Sequence, residues 1–245
     1  PHIHPHIHPH IHPHIHPHIH PHTHPRGAQD IEKVLKGQFE AAEIVDNNER
    51  IAAALLEQGL ITLDDFLPPA LVAQLATEAI DLRRGEGLRP AGIGRGPSQH
   101  LNEGIRGDQI RWLEPDTATP AQRHYLEILE ALRQAINRHL FLGLYEFEGH
   151  LALYPPGAYY RKHLDQFQGT QHRLVTVILY LNPDWRDEDG GQLRIYPDPT
   201  DEGCHQDLLP VAGRLVCFLS GDFPHEVLPA RRERLSITGW FRQRD

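Results

Sequence analysis

Arg173-Leu174-Val175-Thr176-Val177-Ile178-Leu179-Tyr180-Leu181 is a β-rich run closed by Asn182-Pro183-Asp184. Its composition and its breakers predict a strand. Four more short runs surround it: Leu151–Tyr154, Gln192–Tyr196, Arg214–Leu219 and Leu235–Phe241, split by Gly, Pro and Asp. Many short strands at this spacing predict a sandwich or jelly roll. Upstream the period changes. Thr119-Pro120 caps an amphipathic helix running to about His139, with Leu126, Leu129, Leu132 and Ile136 on one face. Pro68 and Pro69 open another helix through about Arg84. Earlier still, Ile31–Phe39 and Ile51–Leu56 have helical spacing, and Asp46-Asn47-Asn48 reads as a cap between two helices. Leu60–Leu63 reads as a short strand. Helices first and strands later predict an α+β layout, with helical support over about 30–140 packed on a β core over about 145–243.

The first 24 residues repeat Pro-His-Ile-His, ending in Pro21-His22-Thr23-His24, and hold 12 of the 20 histidines. Proline at every fourth position blocks a regular helix. Residues 1–29 are therefore expected to be an extended tail, and 30–245 one domain. The repeat reads as a tag or a repeat expansion before it reads as a metal store. The formal charge of −9 argues against a nucleic-acid backbone as partner. Two cysteines in no metal or redox spacing, Cys204 and Cys217, argue against a disulfide scaffold. No apolar run is long enough to span a bilayer, and no basic-then-apolar leader opens the chain. The expectation is a cytoplasmic protein that binds neither membrane nor nucleic acid.

The chemistry concentrates in the β half. His163-Leu164-Asp165 places an imidazole and a carboxylate on one face if the segment is a strand. His225, between Pro224 and Glu226, adds a second imidazole from a distant point of the chain. Two histidines and one carboxylate cap one face of an octahedral metal and leave the other open. Arg234 follows at the start of Leu235–Trp240. A guanidinium buried there needs a partner, and its planar fork suits the far carboxylate of a dicarboxylate such as 2-oxoglutarate.

These motifs, in this order, resemble the prolyl hydroxylases that act on hypoxia-inducible factor. The bacterial relatives that hydroxylate elongation factor Tu look most similar. The resemblance runs from about Ile51 to Phe241 and includes Ile105-Arg106-Gly107-Asp108-Gln109-Ile110-Arg111-Trp112, Gly190–Pro197 and Pro224-His225-Glu226-Val227. It implies a double-stranded β-helix, with His163, Asp165 and His225 as iron(II) ligands and Arg234 and Tyr180 on the cosubstrate's distal carboxylate. By the same resemblance Tyr154 and Thr238 belong to the cosubstrate pocket, and Trp240 to the prolyl side. Asp108 and Arg173 match a pair that ties a mobile loop to the barrel. The Gly-rich stretch Gly85–Gly107 then becomes a lid. Gln166–Gln171 departs from the turn of the animal enzymes, which bears on substrate choice.

The implied activity is hydroxylation of a prolyl residue in a protein, with elongation factor Tu as the candidate substrate. Iron(II), 2-oxoglutarate and dioxygen are consumed or used, ascorbate serves as reductant, and a monomer suffices. Oxygen sensing is the implied biological role. Two alternatives stay open: a same-fold oxygenase acting on a small molecule such as free proline, and a non-catalytic metal-binding or jelly-roll binding module. His100, His124, His139, His150, His172 and His205 show no partner pattern and receive no role.

Overall fold

The computed structural model describes residues 25–93, 104–166 and 169–245, with side-chain detail from residue 41 onward. The repeat through His24, most of the Gly-rich stretch and Phe167-Gln168 lie outside the described residues. Ala42–Asp245 forms one compact unit, and the described residues before it belong to a second.

Helix α1 spans Pro25–Glu57, α2 spans Pro69–Arg84 and α3 spans Pro120–Leu140. The expected break at Asp46–Asn48 does not occur, and α1 begins inside the segment expected to be extended. Cap-type residues were outweighed by packing. Ile44, Ile51, Ala52 and Leu55 return to one face of the helix and join the core, so the turn through Asn48 stays wound. Gly59, at φ +76°, ends α1 in the left-handed conformation, its N–H bonded to the Leu55 carbonyl. The start of α3 follows its sequence closely. Thr119 accepts from the Gln122 N–H while Gln122 accepts from the Thr119 N–H, a reciprocal cap.

Among the described residues, eleven strands form two antiparallel sheets. The larger runs β1(Leu60–Leu63), β9(Leu215–Leu219), β6(Arg173–Tyr180), β11(Arg234–Arg242), β4(Glu146–Tyr154), β3(Gln109–Trp112), β2(Arg89–Pro90) in spatial order. The smaller runs β5(Tyr160–His163), β10(His225–Val227), β7(Leu193–Ile195), β8(Gln206–Leu208). The five strands expected downstream of Glu148 are present as β4, β6, β7, β9 and β11, and β1 also forms. The others are short and polar, with too few apolar residues to alternate visibly.

Alternation along the large sheet separates two cores. Leu151, Leu153, Val175, Val177, Leu179, Leu215, Cys217, Ile237 and Phe241 face α1 to α3. Ala152, Tyr154, Ile178, Tyr180, Val216 and Phe218 face the small sheet, whose Leu193, Ile195, Leu208 and Val227 point back. This is the double-stranded β-helix with supporting helices, and it leaves a cavity between the sheets.

Candidate active site

β5 and β10 are paired so that His163 stands opposite His225. Each ring is oriented by a backbone carbonyl at its Nδ1: Arg161 O at 2.7 Å for His163, and Phe223 O at 3.0 Å for His225. Those carbonyls make Nδ1 the protonated nitrogen and leave Nε2 as the ligand atom. Both Nε2 atoms converge on Asp165 Oδ1, at 3.3 Å and 3.4 Å. The three ligand atoms lie within 4.8 Å of one another, the only such cluster among the described residues. β5 ends at His163, however, and Asp165 sits in a bend. The carboxylate reaches the histidines because the chain turns, and the strand alternation expected for His-x-Asp does not place it. Thr170 Oγ1 donates to the Asp165 carbonyl and Gln166 Nε2 donates to the Arg173 carbonyl, fastening that turn to β6.

Burial would raise the Asp165 carboxyl, but His225 beside it and hydrogen bonds from both imidazoles hold it well below the usual range. Burial lowers His163, with the His225 charge acting in the same direction. In His225 burial is outweighed by Asp165, and its pKa is raised. Two imidazoles and one ionised carboxylate, buried and converging from one side, fit a six-coordinate iron(II) that keeps open positions.

Every site residue named from the sequence lines the same cavity: the triad, Tyr154, Tyr180, Arg234, Thr238, Trp240, Asp108 and Arg173. The strand register explains the order. Arg234 pairs with Tyr154, Ser236 with Ala152 and Tyr180, Thr238 with His150 and Ile178, and Trp240 with Glu148 and Thr176. These rungs climb from the Arg234 end to the Trp240 end on one face. Arg234 is 2% exposed, and among the described residues no carboxylate pairs with it. Its Nε donates to the Gly191 carbonyl at 2.7 Å and Nη2 to the Tyr180 hydroxyl at 3.3 Å. The guanidinium carbon lies 5.1 Å from the Tyr154 ring and 5.0 Å from the Tyr180 ring. Burial raises the Tyr180 phenol against the opposing Arg234 charge, so it keeps its proton. That proton has no acceptor among the described residues. A buried cation beside an idle hydroxyl donor fits the distal carboxylate of 2-oxoglutarate.

Asp108 and Arg173 each take another partner. Arg106 grips Asp108 with two bonds, Nε to Oδ1 at 2.8 Å and Nη2 to Oδ2 at 2.7 Å. Its Nη1 donates to the Gly92 carbonyl, closing the foot of the Gly-rich stretch. Arg173 binds Glu148 at 3.0 Å and lies 3.6 Å over the Trp240 ring. The expected Asp108–Arg173 tie is replaced by these pairs because each charge has a nearer opposite one. Sequence reasoning also passed over His150, Trp112, Tyr160 and Arg106, which line the cavity. Tyr160 stacks on His163 with centroids 3.7 Å apart, and His150 meets Trp112 edge-on at 4.9 Å. Arg106 and Trp112 both fall in the Ile105–Trp112 motif, which singled out neither. His150 carried no spacing signal, since its neighbours come from β3 and β11.

Comparison with known proteins agrees with this geometry. The family model described as the 2OG-Fe(II) oxygenase superfamily matches residues 149–242. A crystal structure of a Pseudomonas putida prolyl-4-hydroxylase is 48% identical, with a TM-score of 0.73 over 81% of this chain and 100% of that one. A Trichoplax adhaerens prolyl hydroxylase, solved with a hypoxia-inducible factor peptide, is 29% identical with a TM-score of 0.70, over 81% of this chain and 91% of that one. Human Egl nine homolog 1 is 33% identical over 205 residues, covering 79% of this chain and 46% of that protein. The chain spans about half the length of the Egl nine relatives it matches. The ligand set, the double-stranded β-helix and these matches together make the chain a member of the 2OG-Fe(II) oxygenase superfamily, homologous to its prolyl hydroxylases.

Proposed function

We propose that the protein hydroxylates a prolyl residue of a protein substrate, using iron(II), 2-oxoglutarate and dioxygen and releasing succinate and carbon dioxide. One observation carries the reading furthest: the buried Arg234, without a carboxylate partner among the described residues, beside the protonated Tyr180 and in the same cavity as the triad. A metal-binding module has no use for a second, cationic pocket. Bound iron would activate dioxygen, the oxidant, with 2-oxoglutarate supplying two electrons as it is decarboxylated to succinate. His163, Asp165 and His225 hold the metal from one side. Arg234 and Tyr180 fix the cosubstrate's far end, which orients its near end toward the metal. Trp240, held by the Arg173 guanidinium, offers an apolar face on which a pyrrolidine ring rests. The triad, the cation and the aromatic face all come from one chain, so a monomer suffices.

The Trichoplax relative was solved with a hypoxia-inducible factor peptide, which supports a peptide segment as substrate here. The candidate is elongation factor Tu, a cytoplasmic protein. Tandem mass spectrometry of elongation factor Tu after incubation with the protein, iron(II), 2-oxoglutarate, ascorbate and air tests this. One added oxygen on one proline, absent without 2-oxoglutarate and in His163→Ala, supports both class and target. Succinate formation without that mark redirects the search to other substrates, free proline included. Neither product, with iron bound, overturns the proposal in favour of a binding module.

A further inference from the structure

Asp165 lies beyond the last residue of β5, so no ladder hydrogen bond of that strand holds its backbone. Its two oxygens face different company. Oδ1 points at both imidazoles. Oδ2 accepts from Thr176 Oγ1 at 2.7 Å, and Thr176 Oγ1 lies 2.9 Å from Ser220 Oγ. Both hydroxyl residues are fully buried. Thr176 comes from the middle of β6 and Ser220 from the residue after β9, joined to β6 by its N–H on the Leu174 carbonyl.

The proton directions follow from valence. An ionised carboxylate only accepts, so Thr176 spends its single proton on Oδ2. Ser220 must then donate to Thr176. A chain of two hydroxyls polarised this way strengthens the terminal bond to the carboxylate.

We propose that Thr176 and Ser220 are positioning residues for the metal, a hydroxyl pair that occupies one oxygen of Asp165 and presents only the other to the ion. This rests on the metal-site reading above. A carboxylate left free to turn offers both oxygens and takes a coordination position that the cosubstrate or dioxygen needs. The sheet supplies what the bend lacks: Thr176 stands on β6 and Ser220 directly after β9, its N–H bonded to β6, so the orientation of Asp165 is referred to the hydrogen-bonded large sheet.

The test is an anaerobic titration of the full chain with iron(II) in the presence of 2-oxoglutarate. It follows the visible charge-transfer absorption that arises only when both sit on one metal. His163→Ala gives the background contributed by the tail histidines. Thr176→Val keeps the shape and removes the hydroxyl. It is expected to raise the iron concentration for half-maximal absorption by about 10- to 100-fold, the usual effect of deleting a partner of a metal ligand. Thr176→Ser restores the hydroxyl and returns the titration close to wild type. Ser220→Ala moves it in the same direction by less.

A Thr176→Val titration that matches wild type, in a protein with unchanged circular dichroism and melting temperature, overturns the proposal. If Thr176→Val does not fold, Ser220→Ala decides, and an unchanged titration there is equally fatal. Absence of the absorption in wild type overturns the metal-site reading itself, and the positioning role with it.

Discussion

His163 and His225 are prepared for a metal before one arrives, because backbone carbonyls at Nδ1 leave both Nε2 atoms facing Asp165. These ligands were legible in the sequence: an imidazole and a carboxylate two residues apart, and a later histidine after an apolar strand, form a pattern with few other uses. Thr176 and Ser220 were not. They stand 11 and 44 residues from their partners and look like ordinary strand and turn residues until the sheets are assembled.

Arg234→Ala removes the only buried cation at its end of the cavity without a carboxylate of its own among the described residues. Charged hydrogen bonds contribute about 1.5 kcal/mol or more, so the KM for 2-oxoglutarate should rise about 10-fold or more while iron binding in its absence stays near wild type. An unchanged KM would refute the pocket assignment. His150 makes a second residue-scale prediction. Burial, with the Arg106 charge next, pushes its pKa from 6.5 to about 4. Between those values the unfolded chain takes up a proton that the folded chain refuses, so His150 makes stability fall as pH drops from about 7 to about 4. The difference amounts to about 3 kcal/mol. Urea unfolding at both pH values should show a smaller loss in His150→Leu than in wild type; equal losses would show that the ring is not kept neutral.

At the scale of the element, β11 carries three of the ten site residues. One face presents Arg234, Thr238 and Trp240 to the cavity, and the other presents Leu235, Ile237 and Phe241 to the helices. Gly239 interrupts the second series for a reason visible only across strands. It pairs with Gly149 on β4, and the Phe147 ring lies over both glycines. A Cβ at Gly239 would overlap that ring and the Glu148 carbonyl. Gly239→Ala should therefore destabilise the protein by about 1–3 kcal/mol in denaturant unfolding. It should also lower activity more than stability alone accounts for, since Thr238 and Trp240 flank it. Full activity at an unchanged midpoint would mean the ring moves aside freely. On α3, Thr119→Ala removes the cap and should cost about 1 kcal/mol with no effect on KM for 2-oxoglutarate.

At the scale of the whole molecule, the cavity is lined by residues from Gly92 to Trp240, contributed by both sheets. Deleting Pro1–His24 is expected to leave 2-oxoglutarate turnover and melting temperature unchanged while removing weak metal uptake by twelve histidines. Loss of turnover would give the repeat a role that no residue of the cavity requires. By itself the sequence determined the helical support ahead of the main β core, the helix starts at Pro69 and Pro120, the main strands and the metal ligands with Arg234. The elements are written in local composition and periodicity; the ligand set, with His225 far along the chain from Asp165, and Arg234 became specific through the ordered motifs that carry the family resemblance. Tertiary structure alone decided the continuity of α1 through Asn48, the short polar strands β3, β5 and β10, the pairing of Arg106 with Asp108 and of Arg173 with Glu148, and the hydroxyl pair behind Asp165. Arg106 and Asp108 are two residues apart, but burial of the segment decides their pairing; in the other cases the deciding contact lies on another element or in the buried face of the core, where local propensity is silent.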